Sequence, residues 1–151
     1  MKPIRLEIDG INSYASKQVI DFERLTSRGI FGIFGKTGSG KSTILDAMTL
    51  ALYGNIARGS KEFINSNRDK ASISYTFELG LGQDRVRYMV TRRFKKSERS
   101  GKTSATSDYV RLMSKGPDDD YEVLADKVGD VNKQIKAILG LEEGDFLKSV
   151  V

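Results

Sequence analysis

The sequence contains no cysteine and no histidine. Without cysteine there is no disulfide and no thiolate chemistry. Without histidine there is no Cys/His zinc site, no Ser-His-Asp triad and no imidazole acid–base catalyst. Chemistry in this chain therefore falls to carboxylates, lysines, hydroxyls, backbone amides or a borrowed metal ion. Long hydrophobic runs are also missing. None approaches the ~18 residues that span a bilayer, so no membrane is expected as a partner. The start, Met1-Lys2-Pro3-Ile4-Arg5, lacks a signal-peptide core, which makes the cytoplasm the expected location.

The 151 residues are enough for one domain or part of one, and 38% hydrophobic with 30% charged residues is a globular balance. The net charge of +5 is unevenly spread. From Arg85 to Lys102 there are eight basic residues and one acid, Glu98, a local excess of +7. A block of this kind points to a polyanionic partner.

Ile4, Leu6 and Ile8 alternate with Arg5, Glu7 and Asp9, the period of a half-buried strand. A second strand is expected over Val19–Phe22. The continuous apolar run at 30–34, bounded by glycines, reads as a fully buried strand. Ile44, Leu45, Ala47, Met48, Ala51 and Leu52 recur at helical spacing, predicting a helix from Lys41 to Tyr53 that stops at Gly54. Residues 55–70 read as irregular, with Gly59 and the cluster Asn65-Ser66-Asn67. Alternation over 72–79 and 85–90 predicts an antiparallel hairpin. Lys95 to Thr106, basic and rich in Ser, Thr and Gly, is expected to be a mobile loop, with a returning strand at Tyr109–Met113. Pro117 to Asp120 reads as an acidic turn. Val128, Val131, Ile135, Ile138 and Leu139 match a helix capped by Gly140. Residues 142–151 open another element, and the run Ser149-Val150-Val151 has no terminator, which suggests a piece of a longer protein.

The strongest signal is Gly35-Lys36-Thr37-Gly38-Ser39-Gly40-Lys41-Ser42, a full G-x-x-x-x-G-K-[ST] match between a predicted strand and a predicted helix. The glycines let backbone N–H groups turn inward around a phosphate. The helix N-terminus adds partial positive charge. Lys41 places a cation on the β- and γ-phosphates, and Ser42 offers a hydroxyl to Mg²⁺. Thr43 reaches the α-phosphate side. A chance glycine-rich turn would share the letters without the strand–loop–helix context.

A small GTPase would carry D-x-x-G and N-K-x-D on separate loops. Asp126-Lys127-Val128-Gly129 and Asn132-Lys133-Gln134-Ile135 come close, but both fall around one predicted helix, and Ile135 stands where guanine needs a carboxylate. A nucleotide kinase would follow the loop helix with parallel βα units, whereas antiparallel strands are predicted here.

Around the loop, Gly10-Ile11-Asn12-Ser13-Tyr14, Val19-Ile20-Asp21-Phe22, Ile44-Leu45-Asp46-Ala47, Leu52-Tyr53-Gly54, Thr91-Arg92-Arg93-Phe94 and Phe146-Leu147-Lys148-Ser149-Val150-Val151 form a second pattern. It covers essentially the whole chain and resembles the N-terminal ATPase lobe of the SbcC-type, SMC-like DNA double-strand-break repair ATPases of bacteria. The resemblance implies an α/β P-loop NTPase of the ABC-ATPase head type, a mixed sheet around the P-loop helix plus an antiparallel β-subdomain. Residues 1–151 would be the N-terminal lobe of a split head, ending before the glutamine loop that follows a terminal apolar strand, and before the coiled coil. It implies ATP and Mg²⁺ as ligands. The implied partners are the C-terminal lobe of the same polypeptide, a second head joined through ATP, an SbcD-like nuclease and double-stranded DNA. The location implied is the bacterial cytoplasm. The missing lobe would hold the signature motif and the water-activating carboxylates, so this lobe alone is expected to bind nucleotide weakly and hardly to hydrolyse it. A DNA-binding or assembly module with a relict loop, or another SMC- or RecF-like ATPase, are the alternatives.

The same resemblance places Asn12 and Ser13 near ribose and phosphates, with a plain turn as the other reading. It runs the backbone of Asn67 and Arg68 near adenine, against a solvated loop. Thr37 stands where many relatives have Asn. Of Arg92 and Arg93 one must face the core, where it is expected to brace the phosphate loop through backbone hydrogen bonds. Lys95, Lys96, Arg99 and Lys102 are candidates for sequence-independent contact with DNA phosphates.

Overall fold

The computed structural model describes residues 1–26, 32–56, 62–116 and 119–150. Strand β1 (Lys2–Asp9) follows its alternation: Ile4, Leu6 and Ile8 are buried and Lys2 and Arg5 exposed. It pairs with β2 (Gln18–Asp21) on one side and β3 (Lys70–Leu79) on the other. The second strand stops one residue early because Asp21 caps a helical turn, α1 (Phe22–Leu25): its carboxylate accepts the Arg24 N–H at 3.2 Å. Phe22 then turns into the core. Strands β4 (Val86–Arg99), β5 (Lys102–Lys115) and β6 (Tyr121–Ala125) complete a six-stranded sheet of order β2-β1-β3-β4-β5-β6. Every described strand pair is antiparallel.

Helix α2 (Lys41–Tyr53) begins and ends where its spacing predicts. Gly54 takes the left-handed conformation at the C-cap and returns its N–H to the Leu50 carbonyl at 2.9 Å. The helix lies against β3 and β4, while α3 (Val128–Leu139) and α4 (Glu143–Val150) pack on it from other sides. Enclosed in this way, it is apolar on more than one face. Leu50 and Leu52 are fully buried with Ile73, Tyr75 and Val90. Each buried leucine contributes about 2 kcal/mol of apolar transfer. The expected α/β class is what the chain forms, but the described strands make one antiparallel sheet rather than a mixed sheet with a separate antiparallel subdomain.

Three expectations need correction. Residues 32–34 of the anticipated buried strand are not in a strand, and Phe34 is 93% exposed. A buried strand needs neighbours at its edges and layers on its faces, and no described strand pairs with this run. Residues 30–31, Gly59 and the Pro117-Asp118 step lie outside the described residues.

The basic stretch Lys95–Thr106 is not a loop. β4 and β5 run through it, paired from Lys95↔Thr106 to Arg99↔Lys102. Ser100 (φ 52°) and Gly101 (φ 73°) make a two-residue turn with both φ values positive. That geometry matches the twist of paired strands, and so it extends the hairpin.

Residues 143–150 are helical rather than the apolar strand the resemblance implies. Glu143 and Asp145 sit in the first turn of α4, where carboxylates suit the helix dipole. Phe146 anchors the helix on Tyr53, ring centroids 5.8 Å apart.

Candidate functional site

The phosphate loop leads into α2 through Gly40, whose φ of 89° is left-handed. The Ser39 N–H closes a turn on the Lys36 carbonyl at 3.1 Å, and the Ile44 N–H starts the helix on Gly40 O at 3.3 Å. The Lys41 ammonium folds back over the loop. It donates to the carbonyls of Gly35 and Lys36, the latter at 2.8 Å, and to Ser39 Oγ at 3.4 Å. A side chain on Gly35 or Gly40 would collide: an added Cβ would lie 2.5 Å from Ser39 Oγ or 2.7 Å from the Tyr14 hydroxyl. The glycines therefore keep the cradle open.

A cleft of about 440 Å³ lies at this helix start. Thr37, Gly38, Gly40, Lys41, Ser42 and Thr43 line it together with Asn12 and Ser13. Ser42 is exposed and Thr43 buried. The loop after β1 thus meets the phosphate loop, as its sequence position suggests. Tyr14 in that loop donates to Gly40 O at 3.4 Å and packs on Gly40. Nothing in the spacing of Tyr14 announces that contact.

Asn67 and Arg68 do not line this cleft. Arg68 ties down the loop behind it, donating Nη1 to Ala15 O at 2.5 Å and meeting the Asp9 carboxylate at 3.3 Å. Asn67 gives its N–H to Asn65 Oδ1 at 3.0 Å. Nothing in the sequence singles out Asn65 beyond its polar cluster, yet it holds the loop most directly, with Nδ2 on Asn12 O at 2.6 Å.

The inward arginine is Arg92, which is 1% exposed. It does not brace the phosphate loop. Its Nε donates to Ala51 O at 2.7 Å and its Nη2 to Leu52 O at 3.0 Å and to Asn132 Oδ1 at 2.7 Å. These carbonyls belong to the last turn of α2, where the helix leaves acceptors unmet and favours a cation. Burial pushes the guanidinium down to about 10. Asn132, one letter of the near-match to a guanine motif, is thereby spent within α3. Arg93 turns outward onto the Tyr109 ring, 4.4 Å from its centroid.

Of the basic candidates, Lys95, Arg99 and Lys102 are exposed on the hairpin. Lys96 differs. Its N–H bonds Asp69 O at 2.9 Å and its ammonium bonds Ser66 O at 3.1 Å. A second cleft of about 510 Å³, lined by Asn12, Asn65, Ser66, Lys96 and Thr103 among others, shares Asn12 with the first. Among the described residues no three His, Cys, Asp or Glu side chains gather to hold a metal ion. No helix among them is long and apolar enough to cross a membrane.

A family described as an AAA domain matches residues 5–149. The SbcC component of the SbcCD nuclease from Clostridium acetobutylicum is 43% identical over 151 residues, all of this chain and 13% of that protein. The protein of the same name from Bacillus subtilis is 44% identical over 154 aligned positions, again all of this chain and 13% of the relative. The chain thus spans about an eighth of these relatives' length. Among solved structures, the SMC head domain from Thermotoga maritima aligns with a TM-score of 0.46 and 21% identity, over 89% of this chain and 42% of that one.

Proposed function

The chain belongs to the AAA-domain family and is of the SbcC type, and on that footing we propose that it binds ATP with Mg²⁺ as the N-terminal lobe of a split ATPase head. The observation that carries the reading is the placement of Lys41. Its ammonium lies over the phosphate loop, and Lys41 lines a cleft with Thr37, Gly38, Gly40, Ser42 and Thr43 and with Asn12 and Ser13.

The residues present fit a triphosphate. The loop is exposed from Gly35 to Ser39, and its glycines leave the space a Cβ would fill. In this reading Lys41 exchanges backbone carbonyls for the β- and γ-phosphates. Thr43 and the amides at the start of α2 hold the α- and β-phosphates. Ser42 would hold Mg²⁺, which neutralises phosphate charge when bound. Asn12 and Ser13 line the same cleft. Arg92 fixes the far end of α2, so the helix meets the phosphates as a rigid element.

Hydrolysis needs groups that position and activate water. In this reading a C-terminal lobe supplies them, two heads engage through ATP, and the engaged state controls an SbcD-like nuclease at DNA ends. Lys95, Arg99 and Lys102 contact DNA phosphates without reading bases, which fits their exposure on the hairpin. The full polypeptide works in the cytoplasm.

The test is calorimetric titration with Mg²⁺-ATP, beside Lys41→Ala and with GTP as competitor. Saturable binding that is lost in Lys41→Ala and resists GTP is the expected result. Binding that ignores Lys41, or none at all even with the C-terminal lobe added, would mark the loop as relict.

A further inference from the structure

The segment that returns from α2 to β3 holds the loop after β1 at several points. The Asn12 N–H donates to Phe63 O at 2.8 Å, and the Asn65 N–H to Gly10 O at 2.8 Å. Ile11 and Ile64 form an isolated bridge. Arg68 reaches Ala15 and Asp9. Within this set the Asn65 side chain is engaged at both ends. Its Oδ1 takes the Asn67 N–H at 3.0 Å while its Nδ2 donates to Asn12 O at 2.6 Å.

Asn12 is where that donation matters. Its φ is 47°, in the left-handed region that a residue with a Cβ enters at a cost. Asparagine tolerates the region better than most, but something must still hold it there. The hydrogen bond from Asn65 falls on the Asn12 carbonyl, the atom whose direction this conformation sets. Asn12 and Ser13 then line the cleft together with Thr37, Gly38, Gly40, Lys41, Ser42 and Thr43, and Tyr14 reaches Gly40 O.

We propose that Asn65 is a positioning residue for the nucleotide: without touching it, the Asn65 carboxamide holds Asn12 in the left-handed conformation and so sets the part of the phosphate cleft that Asn12 and Ser13 line beside Lys41 and its loop. This rests on the nucleotide-binding reading and names a residue outside the cleft on which affinity depends. Its effect passes through backbone geometry, which separates it from a general contribution to stability. Glycine adopts φ near +50° without a Cβ penalty. With glycine at position 12, the carboxamide has less to do.

The test measures the Kd for Mg²⁺-ATP on the full chain by calorimetry, well below the unfolding midpoint. The proteins are the wild type, Lys41→Ala, Asn65→Ala, Asn65→Asp, Asn12→Gly, and Asn12→Gly combined with Asn65→Ala. Asn65→Ala is expected to weaken binding about tenfold, within the usual range of coupling between neighbouring groups. Asn65→Asp keeps the acceptor for Asn67 but sets a carboxylate oxygen against Asn12 O, so it should weaken binding at least as much. It also keeps the test alive if Asn65→Ala does not fold. In the Asn12→Gly background, Asn65→Ala should change Kd less than about threefold. Equal losses in both backgrounds, or Asn65 variants that bind as the wild type does while Lys41→Ala does not, would overturn this inference and leave the nucleotide reading intact. Failure of the wild type to bind Mg²⁺-ATP even with the C-terminal lobe added would overturn both.

Discussion

Arg92 and Asn132 meet behind the C-terminus of α2, Nη2 to Oδ1 at 2.7 Å. The contact joins a strand and a helix through residues 40 apart in sequence, and the same guanidinium also takes two carbonyls of a third element. Gly54 makes room for it, since a Cβ there would come within 3.0 Å of Arg92 Nη1. The end of the phosphate-loop helix, the central sheet and α3 thus share one buried cation.

Removing that cation should cost more than its packing. Arg92→Met keeps much of the volume but leaves the carbonyls of Ala51 and Leu52 and the Asn132 amide without a donor. A loss of about 3 kcal/mol is expected, from buried acceptors at about 1–3 kcal/mol each with partial relaxation. Arg92→Lys should recover only part, because an ammonium cannot present a planar fork. Urea denaturation measures both. A loss for Arg92→Met below about 0.5 kcal/mol, the scatter of ordinary surface changes, would refute the role.

Tyr75 offers the opposite case. Its hydroxyl is buried with no hydrogen-bond partner among the described residues, in a ring stack with Phe77 at 5.4 Å. Burial pushes its phenol pKa up. Tyr75→Phe should be neutral or stabilise by up to about 1 kcal/mol, since only an unmet polar group is removed. A clear loss in thermal unfolding would show that the hydroxyl has a partner.

Tyr53 should make stability fall at high pH. Burial, followed by the nearby charges of Glu142, Glu143 and Asp145, pushes its phenol from 10.0 up to about 12. The neutral hydroxyl donates to Leu141 O at 3.1 Å. The folded state keeps its proton to higher pH than the unfolded chain does. The contribution is therefore whole below pH 10 and lost as pH rises towards 12. The stability difference between wild type and Tyr53→Phe should shrink or reverse across that window. Denaturation at stepped alkaline pH reads it, and a difference independent of pH counts against the assignment.

The hairpin cations should not act alike on a polyanion. Lys95, Arg99 and Lys102 are exposed, Lys95 with its ammonium 4.0 Å from the Asp108 carboxylate, whereas the Lys96 ammonium is held by Ser66 O. Replacing any of the first three by alanine should lower the slope of log affinity for duplex DNA against log salt by about 0.9. Lys96→Ala should lower it less. Four equal decrements, or a salt-independent isotherm, would contradict this division.

Local pattern makes much of the fold legible. The bounds of α2 follow from the glycine motif, the helical apolar spacing and Gly54. β1 and β3 follow from strict alternation. The failures have a common cause, which is that the deciding partner lies elsewhere in the chain. Lys95–Thr106 has the composition of a loop, and only its pairing across Ser100-Gly101 makes it strand. Alternation turns one of Arg92 and Arg93 inward, but it gives a side and not a destination, so it does not reveal that Arg92 meets the far end of α2. The run at 32–34 looks like a buried strand because apolar character is local and sheet neighbours are not. At the site the motif residues can be read directly. Tyr14 and Asn65 cannot, because their roles depend on how two loops meet.

The outer part of the β4–β5 hairpin has a consequence for solubility. β3 stops pairing at Lys70↔Lys95, and β6 pairs only near Leu112–Lys115, so residues 97–99 and 102–104 form a two-stranded ribbon past the sheet. The long edges of such a ribbon carry unpaired backbone groups, the usual template for edge-to-edge aggregation. Arg99 and Lys102 face each other next to the turn, with Lys95 and Lys96 at the ribbon's base. A second ribbon approaching in register would bring like charges together. Cations along edges that no described strand covers, with Glu98 the one acid among them, work against pairing of one ribbon with another, and neutralising them would weaken that opposition.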